Sequence, residues 1–337
     1  MTGEVGALEH RTLRLLSVVA PMCNEGPGVN AFIDRTRAAL QGVPFELIVV
    51  DDGSTDDTLA RLRLVAAEDR RIRIVSLARN FGHQTALTAG LDAVRGDVAV
   101  TIDGDLQDPP EVIPELLERW RQGADVVSAV RSERTGETRF KLATADWFYR
   151  VFRRLANVDL PAQSGDFRLM DRCALDALGS MRERNRFLRG MSVWVGFRQD
   201  SIAYERAART NGHTKYSLTR MMKFSFDALT SFSQVPLQLA MLLGFALSLA
   251  ALAGLPLVIV ARYLGIFTKG VPTVLFAVLL IGGIQLITVG IIGEYVGRIY
   301  DEVKKRPLYI VRERFNFEPS EPDLLDVAAE HERAVGP

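Results

Sequence analysis

Short, apolar, largely β-branched runs alternate with amphipathic stretches of helical length through the first part of the chain. Leu15 to Ala20, Phe45 to Val50, Arg73 to Leu77, Val98 to Ile102 and Val126 to Val130 read as strands. Between them, Val29 to Leu40, Thr55 to Glu68, Gln84 to Val94 and Pro110 to Arg121 read as helices. This alternation predicts an α/β fold with parallel strands and helices packed on both faces. Ligands bind such sheets beyond the carboxyl ends of the strands, so the residues that follow each apolar run are the first to inspect.

Later the pattern changes. No charged residue occurs from Ala228 to Ala261 or from Val271 to Gly293, and each run exceeds the roughly 20 residues that a helix needs to cross a bilayer. Two transmembrane helices are expected, at 234–261 and 271–296, in preference to a buried hairpin. Lys215, Arg220 and Lys223 before the first run, and Arg298, Lys304, Lys305 and Arg306 after the second, place both flanks on the cytoplasmic side. The connection that carries Arg262 and Lys269 then faces outward. The expected division is a flexible N-terminus over 1–13, a cytoplasmic α/β domain over 14–210 and a juxtamembrane amphipathic helix over 211–233. The two spans follow within 234–298, then a cytoplasmic tail over 299–337, which is Pro- and acid-rich from Phe317. Phe140 to Leu155, with Trp147, Phe148 and Tyr149 beside Arg150, Arg153 and Arg154, has the pattern of a second interface helix. Met1 to Arg14 hold no apolar stretch of signal-peptide length, so the reading is a multi-pass protein of the inner (plasma) membrane with both termini in the cytoplasm.

Composition narrows the class. With 48% hydrophobic and 24% charged residues in 337, the chain is too apolar to be disordered. Its 41 basic and 41 acidic residues cancel, which argues against a strongly basic nucleic-acid binder. Cys23 and Cys173 form no CxxC and no disulfide framework, as suits a reducing compartment. No GxGxxG follows the first strand and no GxxxxGK[ST] occurs, so dinucleotide and P-loop chemistry lack their signatures.

Carboxylates stand where the sheet geometry directs attention. The second strand runs into Asp51-Asp52-Gly53-Ser54-Thr55-Asp56, either an acidic ligand-facing tip or a turn with Ser54 or Thr55 as N-cap. The fourth runs into Asp103-Gly104-Asp105-Leu106-Gln107-Asp108-Pro109-Pro110. Asp103 and Asp105, separated by a small glycine, can face one hard cation whose remaining positions are left to diphosphate oxygens and water. Asp108 reads mainly as a helix N-cap, with proline at N1 and Glu111 at N3. His83 reads as a polar residue at a helix start rather than as a metal ligand. Arg131 and Arg134, Arg168, and the cluster Arg184, Arg186 and Arg189 supply cations of the kind that fork onto phosphate.

Five ordered segments carry a resemblance: Pro21-Met22-Cys23-Asn24-Glu25, Val50-Asp51-Asp52-Gly53-Ser54, Asp103 to Pro110, Ser164-Gly165-Asp166-Phe167-Arg168-Leu169 and Arg184-Asn185-Arg186-Phe187-Leu188-Arg189-Gly190. Together they resemble family 2 glycosyltransferases, and more narrowly the bacterial polyisoprenyl-phosphate glycosyltransferases, relatives of dolichol-phosphate mannose synthase with two C-terminal spans. The likeness runs from Leu15 to Arg314. It implies a GT-A fold on a mostly parallel sheet, and inverting, metal-dependent transfer of one sugar from a nucleotide sugar to polyprenyl (undecaprenyl or decaprenyl) phosphate in cell-envelope glycan synthesis. The closer likeness points to a UDP-sugar, with the sugar itself left open.

Residue by residue, the resemblance places Pro21, Asn24, Glu25, Asp51, Asp52, Asp103 and Gln107 at the nucleotide sugar, and Mg²⁺ or Mn²⁺ on Asp103, Asp105 and Gln107. Asp105, Asp166 and Arg131 are its catalytic candidates; Arg131, Arg134, Arg168, Arg189 and Lys215, beside Tyr216, are its candidates for the lipid phosphate. Asp166 would be the usual place to seek a base, yet a phosphate acceptor is substantially ionised before attack, so base and orienter both stay open. Membrane lipids and a homo-oligomer, with a tetramer as one arrangement, complete the implied partners. Two rivals remain: a processive polysaccharide synthase, which would need more spans and a Gln-x-x-Arg-Trp motif, and a non-catalytic membrane protein that binds nucleotide sugar.

Overall fold

Strands covered on both faces are apolar on both, and the first four apolar runs follow that rule. In the computed structural model, which describes residues 11–132, 164–206, 235–264 and 270–318, β1 (Leu16–Met22), β2 (Phe45–Asp51), β3 (Ile72–Leu77) and β4 (Val98–Thr101) are buried along their whole length. They pair in parallel in the order β3-β2-β1-β4. Helices α1 (Val29–Ala39), α2 (Thr58–Glu68) and α3 (His83–Asp92) make the crossovers, and α4 (Ile113–Arg121) leads to β5 (Val126–Arg131). Helix α3 seats tightly on the sheet through Gly90, where an added Cβ would lie 2.3 Å from Val19 Cγ1 and 2.9 Å from Val50 Cγ2.

The rest of the sheet departs from the sequence reading. The Ser-Gly-Asp-Phe-Arg segment, outside the strands that the pattern predicts, is the start of β6 (Ser164–Asp171), which runs antiparallel between β4 and β5. Then follow α5 (Arg172–Ser180), α6 (Leu188–Trp194) and β7 (Gln199–Tyr204), which lies parallel to β5 at the edge. The other edge is β8 (Val311–Phe315), antiparallel to β3, so the order is β7-β5-β6-β4-β1-β2-β3-β8 in a mostly parallel but mixed sheet.

The first and last described residues around this sheet are tied to it. Arg11, expected in a flexible N-terminus, donates to Ala124 O at 2.8 Å and to Asp125 Oδ1 at 2.5 Å. At the other end, buried Tyr309 donates from its hydroxyl to Asp92 Oδ2 at 2.7 Å, where Arg182 also donates a fork at 2.8 and 3.0 Å. The Asn316 amide donates to Ala66 O and Ile72 O at 2.7 and 2.8 Å.

Residues Tyr216–Arg306 form a separate unit. Its described part is a pair of packed helices, α7 (Val235–Tyr263) and α8 (Val271–Val303). Large apolar side chains are exposed on both, among them Met241, Phe245 and Leu252 on α7 and Val278, Leu286 and Ile292 on α8. Among the described residues one stretch, Leu280–Val303, is long and apolar enough to cross a membrane, and α7 contributes the shorter apolar stretch Ala240–Gly254. The expected interface helices at 140–155 and 211–233, with Arg134, Lys215 and Tyr216, lie outside the described residues.

Candidate functional site

The carboxyl ends of β1, β2 and β3 are laced together by short side chains. Asn24, at φ +58°, accepts on Oδ1 from the Thr55 N–H at 2.8 Å, while its own N–H donates to Ser54 Oγ at 3.0 Å. The Glu25 N–H donates to Thr58 Oγ1 at 2.9 Å. Ser54 is therefore engaged with the β1 loop and not with a helix end. Asp51 is 1% exposed, and its oxygens accept from the Ser54 N–H and Ser76 Oγ, so it shapes the turn. Asp52, 4% exposed, accepts from the N–H groups of Phe81 and Gly82 at 2.7 and 3.0 Å. That grip draws the loop after β3 over the β2 tip, where Gly53 at φ +64° lets backbone pass: an added Cβ would sit 2.4 Å from the Arg79 carbonyl carbon. Pro21 is buried at the end of β1.

Across the sheet, the acidic turn after β4 converges with the start of β6. Asp105 Oδ1 accepts from the Gln107 N–H at 3.1 Å across Leu106, which is held at φ +61°. His83, the first residue of α3, places Nε2 3.4 Å from Asp103 Oδ1 and 3.2 Å from Asp166 Oδ2. Gln84 donates to the same Asp166 oxygen at 2.9 Å and accepts on Oε1 from the Leu188 N–H at 2.9 Å. Arg189 Nε lies 3.9 Å from Asp166 Oδ1.

These surroundings separate the two carboxyls. Burial, then the charges of Asp108, Asp166 and Asp105, push Asp103 up to about 6 against the opposing pull of His83. Burial also works to raise Asp166, but the His83 hydrogen bond and the charges of Arg189, His83 and Arg168 outweigh it and hold Asp166 well below the usual carboxylate range. Asp103 Oδ1 is buried and makes no hydrogen bond, as is Asp166 Oδ1. An orphaned carboxylate oxygen in acidic surroundings fits a divalent cation, which would offset that charge. Among the described residues no group of three His, Cys, Asp or Glu side chains is placed to hold a metal. A cation held there by Asp103 and Asp105 would leave its remaining positions to substrate phosphates and water.

One expectation about a single residue is overturned. Asp108 caps no helix: the turn that opens at Pro110 has Pro109 at its N-cap position with no side-chain cap bond. Asp108 is instead wholly buried, accepting from the Tyr204 hydroxyl at 2.5 Å, with Arg206 Nε at 3.2 Å and an Arg131 terminal nitrogen at 3.9 Å. Arg168, expected on the lipid phosphate, is 2% exposed and donates to Gly165 O, Arg189 O and Ser192 Oγ, its guanidinium pushed down to about 10 by burial. It is an internal strut whose charge reaches Asp166. Thus Asp103, Asp105, Gln107, Asp166, Arg131 and Arg189 lie in one neighbourhood. His83, Gln84 and Tyr204 join them unforeseen; His83 and Gln84 open α3 after the loop that leaves the end of β3, the region that the strand-end rule marks.

The site sits within a stretch that matches a known family: the model of glycosyl transferase family 2 covers residues 17–179. An uncharacterized glycosyltransferase, YkcC, of Bacillus subtilis (strain 168) is 43% identical over 308 residues, 90% of this chain and 94% of that protein. A prophage bactoprenol glucosyl transferase homolog of Escherichia coli (strain K12) is 39% identical over 300 residues, 88% of this chain and 98% of that protein. The bactoprenol glucosyl transferase of Shigella phage SfII is 38% identical over 307 residues, 90% of this chain and 99% of that protein.

Proposed function

The chain belongs to glycosyl transferase family 2, and from that premise we propose that it transfers one sugar from a UDP-sugar to a polyprenyl phosphate at the cytoplasmic face of a membrane. The observation that carries the reading is the meeting of Asp103, Asp105 and Asp166 with Arg131 and Arg189 at the carboxyl ends of the strands, in a chain that matches bactoprenol glucosyl transferases nearly end to end. An acidic cation site beside arginines suits two phosphate-bearing substrates.

In the proposed reaction an oxygen of the acceptor phosphate attacks the anomeric carbon as the bond to the nucleotide diphosphate breaks, and the bonding pair leaves on the diphosphate with inversion. Asp103, Asp105 and Gln107 would hold Mg²⁺ or Mn²⁺. When bound, that cation supplies neutralisation of the charge that develops on the leaving diphosphate. Arg131 and Arg189 bind and orient phosphate, a task of positioning and electrostatics. Asp166 orients: anionic and held by His83 and Gln84, it is a weak base, and the acceptor phosphate, with its second pKa of about 6, needs none. The loop that Asp52 fixes over the β2 tip, with Asn24 and Glu25 opposite, forms the base and ribose side.

Two spans, α7 and α8, complete the proposal. What supports an even number of crossings is that β8, which follows α8, belongs to the same sheet as β1 to β7, which precede α7.

The test is product formation on membranes supplied with polyprenyl phosphate, Mg²⁺ or Mn²⁺ and radiolabelled UDP- and GDP-sugars. A mild-acid-labile lipid-linked sugar, made with a UDP-sugar by the unmodified chain and reduced to background by chelator or by Asp105→Ala, is expected. No lipid product with any donor would sink the reading.

A further inference from the structure

Asp108 is a fully buried carboxylate that touches no open face of the site, yet three side chains from two other strands and their ends converge on it. Its Oδ1 accepts from the Tyr204 hydroxyl at 2.5 Å and lies 3.2 Å from Arg206 Nε and 3.9 Å from an Arg131 terminal nitrogen. Tyr204 closes the triangle, since its hydroxyl oxygen accepts from Arg131 Nε at 3.3 Å. One face of Arg131 is thereby fixed. On the other, the guanidinium lies against Gly165, where an added Cβ would come within 3.1 Å of Arg131 Nη2, and Gly165 is next in sequence to Asp166. Among the described residues, no terminal N–H of Arg131 donates a hydrogen bond.

We infer that Asp108, acting with Tyr204, is a positioning residue that holds Arg131 and Arg206 side by side as an anion fork for the acceptor phosphate; this rests on the reaction proposed above. The charge arithmetic favours an anion, because one carboxylate against two guanidinium groups leaves one net positive charge. An arginine side chain is rich in rotamers, and pinning its Nε from behind leaves its terminal fork preorganised for phosphate oxygens. A buried carboxylate would be a costly way to stabilise the sheet alone, since hydrophobic groups of the same volume often do as well or better.

The experiment measures acceptor KM, donor KM and kcat, with farnesyl phosphate affinity by thermal shift as a readout that needs no turnover. It compares the unmodified full chain with Asp108→Asn, Tyr204→Phe, Arg131→Ala and the double variant Asp108→Asn/Arg131→Ala. Asp108→Asn should raise acceptor KM and the farnesyl phosphate dissociation constant at least tenfold and leave donor KM within twofold, with Tyr204→Phe milder in the same direction. In the Arg131→Ala background the same change should shrink to less than threefold, because its route through Arg131 is gone. Full multiplication of the two effects, or equal changes in donor and acceptor terms, overturns the inference while leaving the reaction intact. Absence of both lipid product and farnesyl phosphate binding in the unmodified chain overturns the acceptor reading, and this inference with it.

Discussion

Gln84 shows how a single amide can couple parts of a site that are far apart in the chain. Its Nε2 donates to Asp166 Oδ2 on β6 and its Oε1 accepts the Leu188 N–H at the start of α6, one residue before Arg189. Removing it frees both Asp166 and the turn that carries Arg189, and misplacement of catalytic groups by about 1 Å costs on the order of a hundredfold. Gln84→Ala should therefore lower kcat about 10- to 100-fold with UDP affinity and the melting temperature nearly unchanged, since Gln84 lies at the first turn of α3 and outside the core. Unchanged kcat would mean that Asp166 is held well enough by His83 alone. The same scale shows what sequence can disclose. Asp103 and Asp105 stand out in the sequence because they follow an apolar strand run, whereas Asp166 stands out only through the resemblance of its segment to a known family. Asp108 was misread because Asp-Pro-Pro-Glu is a sound local capping pattern, and a partner 96 residues away, Tyr204, outcompetes it. Arg168 could not be told from a phosphate ligand, because its acceptors are mostly backbone carbonyls that the sequence does not reveal.

Among the elements, the strands found by pattern are those at the centre of the sheet. β1 to β4 are buried on both faces and advertise it as unbroken apolar runs, whereas β7 and β8 are edges whose residues, Gln199–Tyr204 and Val311–Phe315, alternate with polar and charged side chains. β6 lacks β-branched residues, and its two antiparallel pairings supply what its composition does not. Junctions between elements carry charge instead. Asp69, between α2 and β3, accepts two side-chain bonds from Arg71 at 3.0 and 2.9 Å and one from Arg37 of α1 at 3.1 Å. The Arg71 bonds above all, with Arg37 behind them, bring its carboxyl down to about 2. A carboxyl depressed on folding stabilises the folded state above its ordinary pKa of about 4, and that contribution disappears as pH falls through its folded value. Because Arg71 is solvent-exposed, screening limits the worth of the cluster to on the order of 1 kcal/mol. Denaturant titrations of the unmodified chain and Asp69→Asn should differ by that amount at pH 7 and converge between about pH 4 and about pH 2. A difference that stays constant over this window would assign the loss to packing.

For the whole molecule, the order of segments along the chain constrains how it meets a membrane. β3 and β8 are hydrogen-bonded neighbours, and α7 and α8 lie between them in sequence, so both flanks of the helical unit must be on one side of any bilayer. At 1.5 Å per residue the 29 residues of α7 and the 33 of α8 extend about 44 and about 50 Å, each more than the roughly 30 Å of a hydrocarbon core. If α8 crosses through Leu280–Val303, a single crossing would put β8 opposite its partner strand; α7 then has to return the chain. This turns hydropathy, which counts charged residues but cannot say which side a flank occupies, into a labelling experiment. With Cys23 and Cys173 replaced by serine, Gly270→Cys, just before α8, should react with a membrane-impermeant maleimide on intact cells. Arg312→Cys, on an exposed position of β8, should react only after the membrane is opened. Reaction of both only after opening would mean that neither helix crosses and that the apolar faces of α7 and α8 lie along the cytoplasmic leaflet. Reaction of Arg312→Cys on intact cells would put the whole sheet on the outer side, because β8 is hydrogen-bonded to β3 and the Tyr309, Asp92 and Arg182 cluster ties that edge down, and would overturn the cytoplasmic placement of the site.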